Sequence, residues 1–176
     1  METTPAPIPD DSEVTVEKAK WIEEQINRNF AFRIESFEIL TKSAETTLGW
    51  LFGIVVGASG YVASHLSDEP FRITIPLLLA TLLAGFEALL LIMGAMMTEE
   101  VASPGNIAEN IATDERLKIS EKWMRISEAR GLSDTIKEIE EINNRKGKAI
   151  NRARMAVVII PALTMAIMIG LALAAL

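Results

Sequence analysis

Residues Ile73 to Thr98 read ITIPLLLATLLAGFEALLLIMGAMMT, 26 positions with a single charge at Glu87. A helix needs roughly 20 predominantly apolar residues to cross a hydrocarbon layer of about 30 Å, so this stretch decides the class of the fold. Two others resemble it. Thr46 to Ser67 has no Asp, Glu, Lys or Arg in 22 residues, and neither does Met155 to Leu176 in 22. Hydrophobic residues make up 49% of the 176, mean hydropathy is +0.26, and no strand-like alternation is present. The sequence therefore predicts an all-α membrane protein with three transmembrane helices plus a cytosolic helical bundle.

Orientation follows from the 17 basic residues, because short cytoplasmic segments hold the excess of Lys and Arg. Five precede the first span (Lys18, Lys20, Arg28, Arg33, Lys42), Arg72 lies between the first two, and eleven lie between Thr98 and Met155. This places the amino terminus and the second connection in the cytoplasm and the carboxyl terminus outside, with the bacterial inner membrane as the expected location. The organisation expected is a flexible tail over 1–11, a cytosolic amphipathic helix over 12–45, and a first span over 46–67. An outer loop over 68–72, a second span over 73–98, a cytosolic helical hairpin over 99–154 and a third span over 155–176 complete it.

The tail METTPAPIPDD is acidic and proline-rich and does not read as a cleavable signal peptide. Beyond it, Ile22, Ile26, Phe30, Phe37 and Leu40 form an apolar stripe on a helix that should enter the first span without a break. Ser103-Pro104-Gly105-Asn106 reads as a turn. A helix carrying Ile111, Ile119, Trp123 and Ile126 should stop near Gly131-Leu132-Ser133-Asp134, where glycine can cap and Ser or Asp can restart. The helix after it, with Ile136, Ile139, Ile142 and Ile150, should continue into the third span.

The absence of cysteine excludes disulfides and thiolate chemistry, and a single histidine, His65, argues against histidine metal sites. No phosphate loop, nucleophile elbow or dinucleotide fingerprint occurs, so no enzyme activity, metal or cofactor is expected. Glu87 is the most informative residue. A carboxylate inside a span costs at least a few kcal/mol even on mild insertion scales, and none of the spans offers it a Lys or Arg. With Ala84, Leu91 and Gly94 at helical spacing beside it, Glu87 reads as lining an aqueous path in an oligomer, a carboxyl ring favouring cations. The alternative is a protonated acid bonding a neighbouring helix.

Gly49, Gly53 and Gly57 share one face of the first span, and Ala162, Ala166 and Gly170 one face of the third. Small residues allow close helix packing in lipid, within one subunit or between subunits. A conducting form has to be oligomeric, with a tetramer as the first expectation. From Ile142 to Arg154 there are five bases and no acid: Arg145, Lys146, Lys148, Arg152 and Arg154. They serve either as anchors to anionic lipid or as a binding site for a nucleotide or single-stranded DNA oligomer. Trp21 and Trp123 read as core packing in preference to base stacking. Pro76 and Pro161 read as tolerated kinks in their spans.

A charged helix leading into the first span (ESFEILTKSAETTLGWLFGIVVG, 35–57) is followed by a short outer loop and a second span. A cytosolic helical segment and a basic lead-in to the last span (NRKGKAINRARMAVVIIPAL, 144–163) follow. This layout resembles the small membrane effectors of bacterial anti-phage defence, the class partnered with a nucleotidyltransferase or cyclase in CBASS, Pycsar and Hailong systems. Pycsar-type effectors place an acid and a lysine at the start of the first span; here Glu45 is followed by Thr46 and Thr47. The resemblance implies an effector that depolarises the membrane or conducts ions on a nucleotide or DNA-oligomer signal, causing abortive infection. It would put the pore role on Glu87 and the ligand role on the basic segment. The reading from another class is a membrane-anchored scaffold recruiting a soluble partner.

Overall fold

A computed structural model describes residues 14–65, 71–97 and 120–174. The expected tail over 1–11, the turn at Ser103–Asn106, the beginning of the first arm of the expected hairpin with Ile111 and Ile119, and most of the outer loop lie outside the described residues. Helices account for nearly all the rest: α1 Val16–His65, α2 Phe71–Leu91 with a π turn at Ile92–Met96, and α3 Glu121–Leu173. No strand occurs among the described residues. Three helices are long and apolar enough to cross a membrane, over Val16–Ser64, Ile73–Met96 and Glu121–Leu173.

α1 passes through the boundary between its charged and apolar sequence at 45/46 unbroken. So does α3, and this corrects the expected stop at Gly131–Asp134: the helix runs straight through it. No described glycine has positive φ, so Gly131 does not cap, and the Thr135 hydroxyl donates to its carbonyl at 3.2 Å. The physical reason is the stripe around it. Ile126, Ala129, Ile136 and Ile139 are buried at helical spacing on both sides of the glycine. Continuing that stripe outweighs the roughly 1 kcal/mol that glycine costs inside a helix.

The chain divides into two compact units, Met1–Glu35 with Glu100–Glu140 and Ser36–Glu99 with Glu141–Leu176. In the first, α1 and α3 run parallel. Val14 and Ala19 bury against Ile126, the Arg125 guanidinium bonds Glu23 and, at 2.9 Å, Glu121, and Arg33 meets Glu140 at 3.3 Å. Bonds from Glu121 and then Glu23 raise the Arg125 pKa above its ordinary value. Trp21 and Trp123 are exposed, which corrects the core role expected for them. Both fall off the buried stripes of their helices.

In the second unit α1 and α3 are again parallel, and α2 runs antiparallel to α3. The core is small and aliphatic: Ala44 and Leu51 from α1, Ala80, Ala84, Ala88 and Leu91 from α2, and Ala149, Ile150 and Ala153 from α3. Lipid tails give no hydrophobic drive between helices, so close backbone approach through small side chains supplies the attraction. Hydroxyls along the apolar helices bond back to their own turns, Thr47 to the Ser43 carbonyl, Thr81 to Leu77 and Thr164 to Ile160. This leaves them satisfied without water.

α3 also carries a feature that the local signals did not reveal. Ile136, Ile139, Asn143, Lys146, Ile150 and Ala153, alternately three and four apart, are all buried. That is the heptad spacing of a coiled-coil seam, and polar residues at such positions fix register at a cost in stability.

Candidate functional site

Glu87 stands on α2 between the buried Ala84, Ala88 and Leu91, with its own side chain 20% exposed. Arg152 on α3 donates from Nε to Glu87 Oε2 at 3.2 Å, its side chain 51% exposed. The expected lack of a basic partner is therefore corrected. The reason is register: Gly94 abuts Ala149 and Glu87 meets Arg152, so the last turns of α2 lie alongside the basic segment of α3. The apolar stretches of the two helices are staggered, which no count of charges within each span reveals.

The same packing relocates the other residues expected to line a pore. Ala84 and Leu91 are fully buried in the chain's own core, so they face neighbouring helices and not an open path. Gly94 sits in the π turn, where Met97 N–H donates to the Ile92 carbonyl at 2.9 Å. A Cβ on Gly94 would lie 3.0 Å from that of Ala149, closer than side chains ordinarily approach. A side chain there would push Ala149 back by a few tenths of an ångström, so glycine allows this close approach of α2 to α3. π turns of this kind occur mostly as single insertions, frequently at functional sites.

The five basic residues separate into different environments. Arg152 pairs with Glu87, and Arg154 Nη2 donates to Ser43 Oγ at 2.6 Å. Arg145 and Lys148 lie on the exposed side of α3. Lys146 is buried at 6% exposure, which corrects its expected place in a solvent-facing ligand site. Its ammonium lies 3.6 Å from the Phe37 ring centroid, and Nζ donates to Thr41 Oγ1 at 3.4 Å. The heptad seam draws it inward, and cation–π attraction partly replaces lost hydration.

Burial, and secondarily the charge of Arg145, lowers the Lys146 pKa below the ordinary lysine value. Between that lowered value and the roughly 10.4 of an unfolded chain, the unfolded state binds more protons, so stability rises with pH. Lys146→Met is expected to remove this rise and to stabilise the protein at pH 7 by about 1 kcal/mol, the lower end for buried polar groups. Thermal unfolding in micelles, followed by circular dichroism from pH 7 to 10.5, checks both; an unchanged slope contradicts them.

The small-residue stripes face away from the core. Gly49, Gly53 and Gly57 are exposed, with nothing within 4 Å of a Cβ at any of them. Ala162, Ala166 and Gly170 are exposed as well. Close packing inside the chain uses Ala80, Ala84 and Ala88 with Ala149 and Ala153 instead. Of these, Ala84 was singled out in the sequence, as a pore-lining residue. No protein-family model, curated protein or solved structure matches the chain.

Proposed function

We propose that the chain is the subunit of a homo-oligomeric ion channel, or membrane-depolarising effector, gated by a nucleotide or DNA-oligomer signal in anti-phage defence. The observation that carries this reading is the Glu87–Arg152 pair, held at 3.2 Å beside helices that run unbroken from charged into apolar sequence. A continuous helix transmits displacement along its axis. A ligand on the charged half of α1 or α3 can therefore bias the pair between closed and separated states, provided it binds the two with different affinity.

In the conformation described, Arg152 neutralises the carboxylate, which is the arrangement of a closed state. Separation would free Glu87 to attract cations. The exposed stripes at Gly49, Gly53 and Gly57 and at Ala162, Ala166 and Gly170 supply faces for assembly, a tetramer being the first expectation. The proposed location is the bacterial inner membrane with the amino terminus cytoplasmic. A nucleotidyltransferase would be the functional partner that makes the signal. Arg145 and Lys148 are the basic residues best placed to meet it.

Burial of Ala84 and Leu91 favours a second reading, in which Glu87–Arg152 is interhelical glue in a membrane-anchored scaffold. Ion flux from liposomes holding the purified chain, with nucleotides and short single-stranded DNA added, separates the two. Flux that responds to one of these additions supports the channel. Impermeable liposomes under every addition leave the scaffold.

A further inference from the structure

α1 and α3 run parallel through the second unit, and two bonds between them fix their relative height. Lys146 reaches Thr41 and Arg154 reaches Ser43, pairs 105 and 111 residues apart in sequence. Glu38 therefore stands level with positions 143–149 of α3, and Glu45 with 150–156. At those heights α3 carries Arg145, Lys148 and Arg152, exposed and spaced by three and four on one helix face. On α1, Glu38 and Glu45 are exposed seven residues apart on one face, with Lys42 between them. Glu38, Glu45 and Lys148 enter no ion pair among the described residues.

Each of these faces runs on into apolar sequence. Gly49 and Gly53 follow Glu45 at intervals of four, exposed and with nothing within 4 Å of a Cβ. At their heights on α3 stand Met155 and Ile159, which continue the face of Arg152 and are 61% and 50% exposed. The α1 face is thus acidic and then hollow where the α3 face is basic and then bulky.

An anionic lipid would answer the bases of α3 but leave Glu38 and Glu45 among headgroups of their own sign. A second copy answers both faces, because copies related by rotation about the membrane normal keep every residue at its height. We propose that the Glu38–Glu45 face of α1 in one copy packs on the Arg145–Lys148–Arg152 face of α3 in the next, with Met155 and Ile159 seated at Gly49 and Gly53. Opposite charges at equal height select the partner and fix its register, and the glycines allow close backbone approach in lipid. The two faces differ, so the contact is heterologous and a suitable rotation closes it into a ring. The inference rests on the reading of the chain as a homo-oligomer and names the interface. Arg145 and Lys148 are also the residues proposed to meet the signal, so an anionic ligand there competes with the acids of the next copy.

Oxidative cross-linking of the full chain in membranes tests it, since the chain has no cysteine of its own. Chains carrying both Gly49→Cys and Met155→Cys are expected to give a ladder of disulfide-linked multimers that ends at the ring size. Each single variant is expected to remain unlinked alone and to form a dimer when the two are co-expressed. Adding Glu38→Lys and Glu45→Lys to the cysteine pair is expected to abolish the ladder, and adding Arg145→Glu and Lys148→Glu as well to restore it; circular dichroism confirms folding of each. Absence of the ladder, self-linking of either single variant, or a ladder indifferent to the charge reversals overturns the proposal. A ring that conducts nothing keeps this inference and overturns the proposed channel, whereas conduction without the ladder does the reverse.

Discussion

Arg152→Met is expected to destabilise the folded chain by about 2 kcal/mol. Breaking a buried ion pair by removing one partner costs about 3–5 kcal/mol, because the remaining charge is left uncompensated. Arg152 is half exposed, so water offsets part of that cost. Glu87 carries the larger share: it is 20% exposed and surrounded by Ala84, Ala88 and Leu91. Adding Glu87→Gln to Arg152→Met should therefore recover most of the loss, since removing both charges can be nearly neutral. A double-mutant cycle of unfolding temperatures in micelles measures the coupling. Strictly additive effects would show that the two side chains do not interact.

Gly131→Pro and Gly131→Ala should act in opposite directions. Gly131 lies in the interior of α3 without positive φ and with open space at its Cβ position. Proline there removes a backbone donor and clashes with the preceding turn, at a cost of about 3 kcal/mol or more. Alanine should stabilise by about 1 kcal/mol, the propensity difference from glycine inside a helix. If a turn interrupted the chain at Gly131–Asp134, alanine would destabilise it. Unfolding monitored by circular dichroism separates the two signs. Gly131→Pro should also uncouple the charged half of α3 from its apolar half, so a protein that still inserts would lose its response to added ligand.

The three apolar helices were legible because an absence of charge over 22 or 26 residues is a one-dimensional signal with a direct physical cause. The helical interruption at Gly131 was misread for a related reason. Gly-Leu-Ser-Asp is a strong local stop signal, whereas the stripe from Ile126 to Ile139 that overrides it extends over several turns and gains its energy from burial. The partner of Glu87 was not legible, since a single sequence carries no register between helices. A three-dimensional stagger brings Arg152 alongside the carboxylate. Gly49, Gly53 and Gly57 share one helix face by spacing alone, but which small-residue face packs inside the chain depends on shape. The alanines of α2 take that role. Lys146 shows the same limit. In sequence it belongs to a basic cluster, and only the heptad seam turns it inward.

Single-channel recording of the purified chain in a planar bilayer tests the central claim most directly. Wild type is compared with Glu87→Gln, with nucleotides and short single-stranded DNA present. The account predicts discrete cation currents in wild type and an altered conductance or open probability in Glu87→Gln, with assembly intact. Silence in both proteins under every addition, or identical currents in the two, would contradict it.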